Sequence, residues 1–294
     1  MANVVPILPP AQCQALLDAY DKAGAEKRRM AWFGVIILLL VVAIASVTAE
    51  VRPQMLAENI GRFTSYFGRI FRLENGASVF TDIGEWFWGL SKWSARLFDT
   101  MLIAYLGTLL GAIAAFVLCF SAAQNLTPAP LPRFLARRFL EFCRSVPEIV
   151  FALIFVVAFG LGPVPGVLAL AIHTLGALGK LFSEVVENID LKPVEGAIAA
   201  GGSRWQAIRY AVVPQVLSNF VSYALLRFEI NVRGASVMGF VGAGGIGQDL
   251  IEAIRKFYYS DVSAILLMIV ATVMVIDLVT ERMRHALLER EQRA

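Results

Sequence analysis

The six residues Gly242-Ala243-Gly244-Gly245-Ile246-Gly247 have the spacing G-x-G-x-x-G, and Asp261 stands near the distance expected of a ribose-binding acid. After a strand and before a helix, such glycines cradle the pyrophosphate of a dinucleotide. Their surroundings reject that chemistry, because Gln248–Tyr259 offers no second strand and long apolar blocks flank the segment on both sides. What the glycines do permit is a bare-backbone bend that approaches other helices closely, with N–H groups opening a helix from Gln248. No G-x-x-x-x-G-K-[ST] loop occurs; Gly176-Ala177-Leu178-Gly179-Lys180 is followed by Leu181 inside an apolar block. The chain therefore has no P-loop with which to bind ATP. It also lacks H-E-x-x-H and G-x-S-x-G, and has only two histidines, His173 and His285. Cys13, Cys119 and Cys143 have no paired spacing, so no metal, cofactor, disulfide framework or enzyme active site is expected.

Polar residues inside apolar blocks are the next signal. At 100° per residue His173, Lys180, Glu184 and Glu187 point in nearly one direction. That stripe cannot face lipid, where each central charge costs about 2.5–3.5 kcal/mol. Arg227 and Asn231 share one face of a later block, while Glu229 and Arg233 share another at an i,i+4 spacing suited to an ion pair. A span with charge on two sides must be enclosed by protein.

The elements that position these residues are transmembrane helices. Of 294 residues, 58% are hydrophobic and 17% charged, against about 45–50% and 25% in soluble chains. Ala31–Ala49, Thr100–Ala123, Ile149–Leu161, Gly166–Val186, Gln215–Asn231 and Val262–Thr280 give six expected transmembrane helices of an all-α, polytopic membrane protein. The first block also admits a cleaved signal peptide, but its length and the 26-residue tail before the basic cluster favour a spanning helix. With a cytosolic N-terminal tail over 1–30 and a cytosolic C-terminal tail over 285–294, inner segments hold nearly twice the Lys and Arg of outer ones. A net charge of +3, scattered along the chain, argues for no nucleic acid. Within the outer segment 50–98, Leu56, Ile60, Phe63, Phe67 and Ile70 mark one helical face, with Arg62, Arg69 and Arg72 off it. Trp86, Phe87, Trp88 and Trp93 follow. This pattern suits an amphipathic helix and aromatic anchor lying at the membrane lipid interface, whose plainest role is a packing collar without chemistry.

The inner loop Asp190–Pro214 is the most informative soluble stretch. Pro193 suits a first helical turn, Val194–Ala200 continue it and Gly201-Gly202 break it. Ser203 with Gln206 forms a capping box for a second helix, expected to end before Pro214. So rigid a helix–turn–helix, carrying Trp205, reads as a docking surface.

Here the residues resemble a family. Glu195-Gly196-Ala197-x-x-x-Gly201, then Ala211-x-Val213-Pro214, is similar to the EAA loop of the membrane subunits of ATP-binding-cassette importers, with Gly196 in place of the middle Ala. The ordered set Arg144-Ser145-Val146-Pro147-Glu148, Arg227-Phe228-Glu229-Ile230-Asn231-Val232-Arg233 and Val241–Gly247 resembles phosphonate-importer permeases over about Thr100–Arg284. The resemblance implies a type I ABC-importer permease fold with its core over 99–284 in the bacterial inner membrane. The implied cargo is a phosphonate or a related anion such as phosphite or hypophosphite. The implied partners are a second permease copy, two cytosolic ABC ATPase subunits and a periplasmic phosphonate-binding protein. Carried over by position, Glu195, Ala197 and Gly201, with Ser203 and Arg204, belong to ATPase coupling.

Given an anionic cargo, Arg227, Asn231, His173 and Lys180 become candidates for its pathway. Arg227 has no carboxylate at pairing spacing on its own helix, the alternative being a lock with Glu148 or Glu184. Glu184, Glu229 and Arg233 are expected in structural ion pairs, with Lys180 as the partner of Glu184. Gly242, Gly244, Gly245 and Gly247 are expected at an outer gate or docking rim. A secondary transporter would instead need a deep carboxylate without a basic neighbour, and Glu184 and Glu229 both have one.

Overall fold

The computed structural model describes residues 9–50, 52–73 and 75–293. Its named elements are all helical, and among the described residues an antiparallel bridge joins Arg72 and Ser78. The chain divides into two compact units, residues 1–66 and 67–294.

In the first unit α1 runs Pro10–Thr48, with proline in its first turn. The basic cluster Lys27-Arg28-Arg29 therefore belongs to the same helix as the apolar run, because nothing between Pro10 and Ala31 breaks a helix. Within α1, Leu17–Thr48 is long and apolar enough to cross a membrane. Helix α2, Pro53–Ile70, is amphipathic as its spacing predicts and passes into the second unit at Phe67. Of its apolar stripe, the side chain of Leu56 lies outside the described residues.

The second unit continues with α3 (Ile83–Trp86) and α4 (Leu90–Ala122), so the helix carrying Thr100 begins well before that residue. Asp82 caps α3 by accepting from Glu85 N at 2.9 Å. Trp86 and Trp93 are buried against Ile246, Leu250, Val262 and Ile265, and Trp86 Nε1 donates to Ser263 Oγ at 3.0 Å. These two tryptophans thus act as packing wedges, each ring filling a gap between helices. Trp88 alone of the three is exposed, and it donates to Asp261 Oδ1 at 2.9 Å.

Next come α5 (Pro130–Ser145) and α6 (Glu148–Phe159), bent by 86° at a short break. Pro147 supplies no N–H and holds Val146 extended, so one helix cannot run through. Helix α7 follows over Pro163–Glu187 and packs closely on α4, where Gly107 and Gly111 face Leu170, Ala171 and Thr174. The loop expected on the inner side forms α8 (Lys192–Ala199) and α9 (Arg204–Ala207). The chain does not end a helix before Pro214, as expected. It widens into a π turn over Ile208–Val212 and continues as α10, Val213–Met238. Widening moves backbone carbonyls away from the proline ring, which a regular α-helix would force into contact. After a short 3-10 turn and the glycine bend come α11 (Ile246–Arg255) and α12 (Tyr259–Arg293).

Among the described residues four helices are long and apolar enough to cross a membrane, or five if the bent pair α5–α6 counts as one. The expected sixth, in α10, is long enough but carries Arg227, Glu229, Asn231 and Arg233 in its second half. In that second half α10 is pinned to both neighbours. Asn231, 1% exposed, donates to Thr108 Oγ1 of α4 and Thr174 Oγ1 of α7, each at 2.8 Å. Nearer the inner loop Phe182 stacks on Phe220 at 3.9 Å, joining α7 to α10.

Candidate functional site

The inner loop is built by local chemistry. Gly202 N donates to Ala197 O at 3.0 Å and Gly201 N to Ile198 O at 2.9 Å, closing α8 with Gly201 at φ +83°. That pair of bonds demands a left-handed residue, and glycine adopts it without steric cost. Both arms of the Ser203–Gln206 capping box are present. Val194, Ala207, Ile208, Ala211 and Val212 turn inward onto Phe120, Leu178 and Phe182, with Ala197 packed beside them. This leaves Glu195, Ile198, Trp205 and Tyr210 outward, with Trp205 74% exposed. Arg204 Nη2 donates to Thr127 Oγ1 at 2.8 Å, tying the loop to the segment after α4.

The outer glycine bend is interlocked with the helices around it. Gly242, Gly244 and Gly245 all have positive φ. Gly162 N donates to Gly242 O at 3.0 Å, and Ile246 N to Thr100 Oγ1 at 2.9 Å. The helix there opens at Ile246, two residues before the expected Gln248. A methyl group on Gly245 would lie 2.5 Å from Thr100 Oγ1, and one on Gly247 2.2 Å from Ser236 O. Beside the bend Asp249, 8% exposed, takes Lys92 at 2.5 Å and Arg96 at 3.6 Å, bracing α11 against α4.

The polar residues within the helices divide into three groups. Lys180 lies 3.6 Å from Glu184, and both line a cavity of about 220 Å³ with Arg137, Glu141, Ser183 and Glu187. Arg137 pairs with Glu187 there and donates from Nε to Ala122 O at 2.9 Å, fastening α5 to the ends of α4 and α7. Glu229 and Arg233 pair along α10, and Arg233 also reaches Asp277 of α12 at 3.0 Å, with Arg284 3.9 Å from Glu229. The third group gathers where α5 breaks. His173 Nδ1 lies 3.0 Å from Val146 O and its Nε2 3.8 Å from Glu148 Oε2. Arg227 interacts electrostatically with Glu148, yet its buried Nε has no hydrogen-bond partner among the described residues.

The structure thus brings His173 and Arg227 together, while Lys180 sits with Glu184 in the separate cavity. Asn231 turns inward to two threonines. Sequence reasoning missed the roles of Thr100, Thr108 and Thr174, whose hydroxyls carry no spacing signal. It also missed Asp277, although a lone acid inside the apolar run Val262–Thr280 was a legible sign.

Residues 107–293 match the family described as the binding-protein-dependent transport system inner membrane component. The chain is 44% identical over 191 residues to the phosphite transport system permease protein PtxC of Stutzerimonas stutzeri, covering 65% of this chain and 70% of that one. It is 41% identical over 191 residues to the phosphate-import permease protein PhnE of Mycolicibacterium smegmatis, covering 65% of this chain and 36% of that one. Among solved structures, the inward-facing MetNI methionine ABC transporter aligns with a TM-score of 0.57 at 18% identity, over 66% of this chain and 95% of that chain. An ABC transporter involved in alginate import aligns at 0.59 and 14% identity, over 82% and 95%. At those identities the likeness is one of fold. The chain belongs to the binding-protein-dependent ABC importer permeases, as an inner membrane component that works with a binding protein and a separate ATPase and is not itself an ATPase.

Proposed function

We propose that the chain is the membrane subunit of an importer for a phosphonate or a related reduced-phosphorus anion such as phosphite. The observation that carries this reading is the set of relatives. PtxC is named for phosphite, and a protein 50% identical over 117 residues, PhnE2 of Escherichia coli, is named for phosphonate. Two copies form the pore, and each presents its inner loop to one of two cytosolic ATPase subunits. Both termini are then cytosolic, and α10, enclosed by protein, supplies the sixth crossing.

In this arrangement Glu195, Ala197 and Gly201 shape the coupling surface, and Trp205 is its apolar knob. Ser203 caps α9, and Arg204 relays movement of the loop to α4 through Thr127. The bend Gly242–Gly247 is the outer gate or rim that meets the periplasmic binding protein. Arg227, His173 and Lys180 lie along the path of the anion. Asn231 holds the helices that line it.

The test is reconstitution of the complete complex in liposomes with its binding protein. Uptake and ATP hydrolysis are measured with methylphosphonate, phosphite, hypophosphite and phosphate. A reduced-phosphorus anion should stimulate both. Stimulation by none of them, with a different cargo active, would reject the reading.

A further inference from the structure

Two charged clusters on α10 differ in how tightly they are closed. Glu229, Arg233 and Asp277 form direct ion pairs. Half a turn away the cluster at Glu148 is loose. The Glu148 carboxylate is 3.8 Å from His173 Nε2, beyond hydrogen-bond reach. No carboxylate among the described residues lies within ion-pair distance of Arg227. Glu148 is the first residue of α6, where a negative charge is favoured, and its side chain is 37% exposed. On the α10 side it faces Gly234, where even an added methyl would stand 3.5 Å from Oε1, leaving the carboxylate room to move. Arg144, in the last turn of α5, also acts on His173 electrostatically.

We propose that Arg227 and His173 form an oxyanion site within the membrane-spanning bundle, that Glu148 is its resident counter-ion, and that a travelling oxyanion binds by displacing the Glu148 carboxylate. The proposal rests on the pathway reading above. A charge kept in a low-dielectric bundle needs a partner at every stage, and the nearby Glu148 carboxylate supplies one between passages. The same carboxylate competes with the cargo, so the anion is never held too strongly to leave.

The chemistry selects a class of ligand. Val146 O can only accept, so His173 Nδ1 carries the hydrogen and Nε2 of the neutral ring is an acceptor. Arg227 offers only donors. A singly protonated tetrahedral oxyanion satisfies both, with an oxygen accepting from the guanidinium and its own hydroxyl donating to Nε2. Monoanions of phosphonates and phosphite have that form.

The experiment uses the complete permease–ATPase complex in nanodiscs, without binding protein or nucleotide, and measures binding of phosphite and methylphosphonate by equilibrium dialysis. Glu148→Gln should bind both at least ten-fold tighter than the native complex and should slow uptake several-fold. Glu148→Asp, with its carboxylate withdrawn but the charge kept, should tighten binding two- to five-fold. Combining Glu148→Gln with Arg227→Gln should abolish the gain. Unchanged affinity in both Glu148 variants would overturn the proposal. So would a fall in thermal midpoint for Glu148→Gln that Arg227→Gln restores, since that is the behaviour of a structural ion pair. A native complex that imports some other cargo, while Glu148→Gln still gains oxyanion binding, would retire the cargo reading and keep the site. Phosphite import without any gain would do the reverse.

Discussion

The outer and inner turns of this permease are both built on glycine, but for different physical reasons. At the outer bend a methyl added to Gly242 would lie 2.2 Å from Leu161, and one on Gly244 would lie 3.0 Å from Pro163. Backbone angle demands glycine at both, and at Gly244 the Pro163 backbone adds a demand of shape. At the inner turn Gly201 also has positive φ, yet neither it nor Gly196 has any atom within 4 Å of an added methyl. Only the local hydrogen bonds of the turn demand Gly201. The outer bend is therefore a part of the packed bundle, while the inner turn stands clear of it. Exposed Trp205 and Tyr210 belong to the second description, and buried Ala243 and Ile246 to the first.

The contrast is broken most easily at Gly247. Alanine there meets the Ser236 carbonyl, a backbone atom that cannot rotate away. Gly247→Ala should destabilise the chain by about 3 kcal/mol, read as a lower thermal midpoint and a lower yield of assembled complex. Native-like stability would mean that the bend is not interlocked.

Gly201→Val places a β-branched residue in the left-handed region, at a cost of about 1–2 kcal/mol confined to the turn. The complex should still assemble but lose at least ten-fold in cargo-stimulated ATP hydrolysis. Glu195→Lys should lose stimulation in the same way through charge alone. Normal stimulation in both would show that the turn is no coupling surface.

Arg204→Ala removes one side-chain hydrogen bond to Thr127, worth about 1 kcal/mol. It should weaken coupling less than Gly201→Val, which the same ATPase assay measures. The smallest effect belongs to Gly196→Ala. This position is open and helical, so alanine should stabilise α8 by up to about 1 kcal/mol and leave uptake unchanged.

What the sequence made legible follows the same division. The Ser203–Gln206 capping box and the glycine break before it depend on residues a few positions apart, and they stand where the pattern puts them. The amphipathic stripe of α2 was legible for the same reason. The partners of the outer bend could not be read, because Thr100, Leu161 and Pro163 are distant in sequence and reach it only through the packing of α4 and α7. Pro214 misled in the opposite sense. Proline forbids a regular helix but permits one that has first widened, and nothing local announces the π turn. The charge pattern of α10 revealed that the helix must be enclosed. Glu148 stood among the possible partners of Arg227, but nothing in the pattern revealed that His173 would join them or that Arg233 would find Asp277.

The clasp at Asn231 has a mechanical consequence. Both amide hydrogens of its side chain are committed, one to α4 and one to α7, at a buried position. Sliding α10 lengthwise by one turn would strand those donors at the full desolvation cost of a buried amide, about 1–3 kcal/mol each. Rocking about the clasp keeps them satisfied. The three helices therefore have a fulcrum in the second half of α10, and rocking about it moves the two ends of that helix in opposite directions.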